Sequence, residues 1–137
     1  IMADGPYRIG LNETQVGLVV PDVIQAAMRR LLGAHRAERL MVAGAMIESS
    51  EAHRIGLVDE LIDAEHVVER AIAWLQDLLK LAPHAMSETR RIARADLRAL
   101  FDAHNATSDE AFLACWFSDE AQRVLGEMVA MLKAKRG

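Results

Sequence analysis

Tyr7-Arg8-Ile9-Gly10-Leu11-Asn12-Glu13-Thr14-Gln15-Val16-Gly17-Leu18 places a charged Glu13 inside a short, mostly apolar run flanked by glycines. A carboxylate in such a setting is either costly or useful. Burial disfavours the charged form of a carboxyl, and an apolar pocket is the usual means by which a protein brings a carboxyl to exchange protons near neutral pH. The plain alternative is a glutamate on the solvent side of a strand end or loop. Spacing alone does not decide between them.

Downstream of this run the chain is punctuated for helices. Pro21 and Asp22 open one in which Val23, Ala26, Ala27, Arg30 and Leu31 alternate core and surface by threes and fours, and Gly33 suits the cap that ends it. A second helix is expected from Ala37 to Ala43, stopped by Gly44. Ser49 or Ser50 then caps a helix of one to two turns ending at Gly56, after which Leu57-Val58-Asp59-Glu60-Leu61-Ile62 has the alternation of a short strand. Asp63 caps the clearest helix in the chain. Its residues Val67, Val68, Ala71, Ile72, Leu75, Leu78 and Leu79 make one apolar stripe that reads as a buried face, and Pro83 bars continuation. A short turn and an arginine-rich helix are expected between Pro83 and Leu100, with Arg90, Arg91, Arg94 and Arg98 forming a solvated or interface surface. Ser108 caps another helix through Phe112, Cys115 and Trp116. Ser118-Asp119-Glu120 starts a last one carrying Val124, Leu125, Met128, Val129, Met131 and Leu132, whose acidic start and basic end complement the helix dipole.

Composition narrows the class. A chain of 137 residues is one domain by length. Apolar residues make up 52% and aromatics only 4%, so the core is aliphatic and rich in methionine, which favours helix packing over a β-sandwich. A net charge of −4 gives no electrostatic case for nucleic acid, which needs a basic face to neutralise phosphates. Cys115 stands alone, so no internal disulfide is possible and a reducing compartment is expected. No apolar run approaches the roughly 18 residues of a membrane span. Phosphate-loop, dinucleotide and nucleophile-elbow motifs are absent. The five histidines lack the spacing of a metal pair on one helix, so no metal site is expected, and Ser49-Ser50 fits a cap better than a nucleophile. No internal repeat, low-complexity tract or flexible linker interrupts the chain.

Ile9-Gly10-Leu11-Asn12-Glu13-Thr14-Gln15-Val16-Gly17-Leu18, followed by Pro21, resembles the second active-site segment of the crotonase (enoyl-CoA hydratase/isomerase) superfamily, in particular its Δ3,Δ2-enoyl-CoA isomerases. His35-Arg36-Ala37-Glu38-Arg39 resembles the family's His-Arg-Ala-Ala-Glu-Arg stretch with a one-residue gap. Ser50-Glu51-Ala52-His53-Arg54-Ile55-Gly56-Leu57-Val58-Asp59 resembles its short helix, glycine and strand. With the closing helix from Ser118 to Lys135, the resemblance covers nearly the whole chain. It implies a mainly α structure with one or two short β-strands at the front and one in the middle. This would be the carboxy-terminal part of the crotonase-like fold, residues 1–20 ending the ββα spiral and carrying the active-site segment, residues 21–137 forming a helical region that caps the pocket and builds a trimer, sometimes stacked into a hexamer. Ile1-Met2-Ala3-Asp4-Gly5-Pro6-Tyr7 has no secretory signal and reads as the middle of a protein. The expected partner is therefore a missing amino-terminal half that supplies most of the acyl-CoA pocket and the backbone donors of an oxyanion hole.

The resemblance also implies a chemistry. In the isomerases this glutamate is the single acid/base: it removes a proton from C2 of a 3-enoyl-CoA and returns it at C4, giving the 2-trans-enoyl-CoA of fatty acid β-oxidation. By position Glu13 is that base, Asn12 contacts substrate beside it, and Leu11 and Leu18 lie near the acyl chain. An asparagine in a turn is also accounted for by its backbone geometry. No cofactor is implied, since the coenzyme A thioester is the substrate, and the expected location is cytoplasmic, or the mitochondrial matrix in a eukaryote. Lys133, Lys135 or Arg136 would meet the CoA phosphates, or else form a charge cluster at a helix end. Hydratases carry Gln-Pro before the glutamate where this chain has Leu11-Asn12, which favours isomerase; 2-enoyl-CoA hydration is the alternative. A helical assembly module without a complete active site is the non-enzymatic one.

Overall fold

The computed structural model describes residues 1–103 and 106–135, with the backbone alone over 106–109. In chain order the elements are β1 (Met2–Ala3), β2 (Arg8–Ile9), a 3₁₀ turn (Glu13–Val16), α1 (Asp22–Leu32), α2 (Ala34–Val42), β3 (Ile47–Glu48), α3 (Ser49–Arg54), β4 (Leu61–Ile62), a second 3₁₀ turn (Ala64–His66), α4 (Val67–Leu79), α5 (Pro83–Ala93), α6 (Ala95–Ala103), α7 (Ala106–Trp116) and α8 (Asp119–Ala134). The mainly helical architecture with a few short strands is the one expected. These elements form two compact units, Ile1–Ile9 with Ile47–Asp102 and Gly10–Met46 with Ala103–Gly137.

The first unit holds all four strands. β1 pairs parallel with β4, Met2 opposite Leu61, and β2 pairs antiparallel with β3, Ile9 opposite Ile47. The strand expected over Leu57–Ile62 shrinks to its last two residues for two reasons. The Ala52 carbonyl takes the N–H groups of Leu57 at 2.9 Å and Val58 at 3.2 Å, holding them in the exit of α3. β1, for its part, offers only Met2 and Ala3 to pair with. Ser49 is not a side-chain cap: it is the first residue of α3, is buried, and its hydroxyl donates to the Gly5 carbonyl at 3.0 Å. Asp63 precedes the second 3₁₀ turn and its side chain makes no capping bond. Ala52, Ile55 and Val58 are the buried apolar residues of this unit.

The apolar stripe on α4 is not buried as its periodicity suggests. Val67, Ala71 and Leu78 are half-buried, while Val68, Ile72, Leu75 and Leu79 are exposed, because the unit has no layer that covers that face. After Pro83, which sits in the first turn of α5, the arginine-rich stretch is two helices broken at Arg94 rather than one. Trp74, Leu75, Leu78 and Leu79 of α4 face Met86, Arg90, Arg94 and Arg98 across an open groove, which agrees with reading these arginines as a surface.

In the second unit α1 runs between Pro21 and Gly33 as the sequence indicates. Its buried residues are Val23, Met28 and Leu32, so Val23 is buried as the spacing suggested while Leu32 takes the core place and Leu31 is 60% exposed. α2 starts at Ala34 instead of Ala37. Gly33, at φ 77° and ψ 157°, ends one helix and opens the next, and its carbonyl accepts the Ala37 N–H at 3.1 Å. α7 begins at Ala106, ahead of Ser108, whose side chain lies outside the described residues. Ser118 does cap α8, accepting the Ala121 N–H at 3.2 Å. Leu18, Val20, Val23, Met28, Leu32, Ala37, Met41 and Ala121 form the core of this unit. No helix among the described residues is long and apolar enough to cross a membrane.

Candidate active site

Glu13 is the first residue of a single 3₁₀ turn, and the backbone closes that turn at both ends. The Gln15 N–H donates to the Asn12 carbonyl at 2.9 Å, and the Leu18 N–H returns to the Glu13 carbonyl at 2.9 Å. Gly17 stands between them at φ 77°, a left-handed conformation that glycine adopts without the penalty of a Cβ. Asn12 makes no side-chain capping bond, so its visible part in the turn is played by its backbone.

Two glycines let other elements come close to the turn. A Cβ on Gly17 would lie 2.9 Å from Cα of Ala121 in the first turn of α8, and Ala121 is fully buried there. A Cβ on Gly44, just past α2, would lie 2.7 Å from both Oγ1 of Thr14 and Cγ of Gln15. Side chains then tie the turn to the end of α2: Thr14 Oγ1 donates to the Met41 carbonyl at 3.2 Å and Gln15 Nε2 to the Ala43 carbonyl at 3.4 Å. On the other side the Cys115 thiol lies 3.6 Å from the Gly17 carbonyl oxygen. Gly10 enters the turn against backbone, since a Cβ there would meet the Ala45 carbonyl oxygen.

The Glu13 carboxylate stands apart from these bonds. Its Oε2 is buried and has no hydrogen-bond partner. A buried carboxylate oxygen without a partner is costly to the fold and unusual in native structures, where such groups point to strain, catalysis or a bound ligand. Of the other residues singled out by sequence, Leu18 is buried at 9% exposure, Leu11 is half-buried and Asn12 is exposed. Leu18 lines a cavity of about 410 Å³ with Thr14, Val20, Arg29, Met41 and Val42. Leu11, Asn12 and Glu13 are not among its walls. Lys133 and Lys135 are exposed at the end of α8, and Arg136 lies outside the described residues. Histidine, cysteine and acidic side chains among the described residues form no group of three able to hold a metal ion.

Thr14, Gln15, Gly44 and Ala121 are the parts of this site that sequence reasoning did not find. Gly44 was legible only as a helix stop. Its spacing from Glu13 carries no local periodicity, so nothing in the sequence pattern pairs the two.

The enoyl-CoA hydratase/isomerase family model matches residues 1–135. Among curated proteins, human enoyl-CoA delta isomerase 1, mitochondrial, is 28% identical over 138 residues, covering all of this chain and 46% of the relative. The "Probable enoyl-CoA hydratase" of Mycobacterium avium is 30% identical over 99 residues, covering 72% of this chain and 37% of that protein. The crystal structure of human mitochondrial delta3-delta2-enoyl-CoA isomerase superposes with a TM-score of 0.90 at 27% identity, over 99% of this chain and 53% of that one. An enoyl-CoA hydratase/isomerase of Pseudoalteromonas atlantica shares the fold, with a TM-score of 0.80 at 22% identity over 90% of this chain and 50% of that one. The chain thus spans about half the length of the curated relatives it matches. The expectation of a carboxy-terminal half is contradicted in part, since the family match covers residues 1–135.

Proposed function

The chain belongs to the enoyl-CoA hydratase/isomerase family, and from that membership we propose that it carries the proton-transfer base of an enoyl-CoA isomerase. The observation that carries this reading is the Glu13 carboxylate, held on a closed turn with one oxygen buried and unpartnered. In the proposed reaction Glu13 takes a proton from C2 of a 3-enoyl-CoA. The electron pair of that C–H bond moves into the adjoining double bond and thioester, leaving negative charge on the thioester oxygen. The same carboxyl group then delivers the proton to C4, and the double bond comes to rest between C2 and C3. A base of this kind must move between two carbons of one allylic system, and a carboxyl group free of fixed hydrogen bonds can do so. Backbone N–H donors aimed at the thioester oxygen would stabilise the dienolate.

In this reading Leu11 and Leu18 border the acyl chain, Asn12 lies beside the reacting carbons, and Lys133 and Lys135 are candidates for the CoA phosphates. The thioester is the substrate and no cofactor takes part. Assembly into a trimer or hexamer is supported by exposed apolar side chains such as Leu79 of α4 and Phe117 in the turn between α7 and α8. A cytoplasmic or mitochondrial-matrix setting goes with this chemistry, and the human relative's name places that protein in mitochondria. Hydration of 2-enoyl-CoA is the second reading, favoured by the similarity to the mycobacterial protein named as a hydratase.

The test is turnover of 3-enoyl-CoA and 2-enoyl-CoA by the natural polypeptide that carries this chain, with and without Glu13→Gln. Isomerisation is expected, and the variant should lose at least about 10²-fold in kcat, the ordinary contribution of a general base. Full isomerase activity in Glu13→Gln would remove Glu13 from the mechanism. Water addition to 2-enoyl-CoA without isomerisation would replace the first reading by the second.

A further inference from the structure

A carboxylate that shuttles a proton has two opposed requirements. Its head must swing, and its backbone must not. Oε2 of Glu13 makes no hydrogen bond, so no bond to that oxygen fixes the carboxyl group in place. Placement falls to the turn, and a turn of four residues is held chiefly by what it is fastened to. One fastening comes from the residue next to the base: Thr14 Oγ1 donates to the Met41 carbonyl at 3.2 Å, across 27 positions of sequence. Met41 lies in the last turn of α2, where a carbonyl has no helical N–H to accept, and it also takes the Gly44 N–H at 3.0 Å. The fit around the hydroxyl is close as well, because a Cβ on Gly44 would reach 2.7 Å from the same Oγ1. Gln15 adds a longer bond of 3.4 Å to Ala43.

We infer that Thr14 is a positioning residue, its hydroxyl latching the Glu13 turn to the end of α2 so that the carboxylate reaches both carbons of the substrate. The inference rests on the reading of Glu13 as the base. The role needs no contact between Thr14 and a reacting atom. Thr14 acts through the backbone of its neighbour, and a displacement on the order of 1 Å at a reacting group costs up to about 10²-fold in rate.

The experiment is steady-state kinetics on the natural polypeptide carrying Thr14→Val, Thr14→Ser or Glu13→Gln. Thr14→Val keeps the shape and removes the donor; Thr14→Ser keeps the donor. The expected result for Thr14→Val is a kcat lower by about 10-fold or more at unchanged KM, restored most of the way by Thr14→Ser. A purely structural role would not give that split or that rescue. Wild-type kcat in Thr14→Val, a change confined to KM, or equal losses in the valine and serine variants would each overturn the latch. Thr14→Ala removes the donor without adding bulk and repeats the test if the valine variant folds poorly. Glu13→Gln separates the two claims: if it is inactive while Thr14→Val is not impaired, the base stands and the latch falls; if it is active, the base falls first.

Discussion

At the scale of single residues, the turn under Glu13 depends on glycines for two separable reasons. Gly17 and Gly56 both have positive φ, at 77° and 80°, but a Cβ on Gly17 would lie 2.9 Å from Cα of Ala121, whereas nothing lies within 4 Å of one on Gly56. Gly56→Ala should therefore cost only the left-handed backbone term, roughly 1–2 kcal/mol. Gly17→Ala should cost that amount and more, because backbone of α8 has to move. Denaturant midpoints of the two variants at unchanged m-value check this; equal losses would mean that the approach to Ala121 relaxes freely. Glu13 is conspicuous in the sequence as a charged residue between glycines in an apolar run, inside a motif that resembles the family's active-site segment. Its supports are not. Thr14 and Gln15 bond to carbonyls 27 and 28 positions away, and side-chain-to-backbone bonds of that range leave no periodic trace. Ser49 shows the same limit, for its place before a short helix suggested a cap while its hydroxyl serves Gly5.

At the scale of elements, legibility followed length and capping chemistry. α1 and α8 were bounded correctly because Pro21, Gly33 and Ser118 act within one turn of the residues they bound. The short strands at the front and the one ending at Ile62 were expected, but their bounds were not, and β3 was not anticipated, because each strand is two residues long and is defined by its partner rather than by its own alternation. The cap on α8 also bears on the candidate site, since it sets the turn that contains Ala121. Ser118 Oγ accepts the Ala121 N–H at 3.2 Å and donates to the Cys115 carbonyl at 2.7 Å, joining the end of α7 to the start of α8. Ser118→Ala should destabilise the protein by about 1 kcal/mol, the usual worth of an N-cap. Ser118→Asp restores the acceptor and should recover most of it. Thermal unfolding of the pair is the measurement, and an aspartate variant no better than alanine would locate the effect in the lost bond to Cys115 instead.

At the scale of the whole chain, periodicity identifies an apolar face but not what covers it. The stripe on α4 was legible as a stripe, and so was the Met-rich face of α8, yet Val68 is 70% exposed, Leu79 73% and Met131 59%. A fold that leaves such side chains in water leaves free energy ungained, at roughly 25 cal/mol for each Å² of apolar surface. Contiguous apolar patches on this scale mark surfaces that meet other protein. The chain expressed alone should accordingly bind a hydrophobic dye and sediment as species heavier than its monomer. Charging the α4 face with Val68→Glu and Leu79→Lys together should shift that distribution toward monomer without lowering helix content, because both side chains already face solvent and both replacements are compatible with helix. A wild-type chain that stays monomeric and dye-free would show that water tolerates these faces. Association that survives the double substitution would move the contact from α4 to the turn between α7 and α8, where Phe117 is 70% exposed.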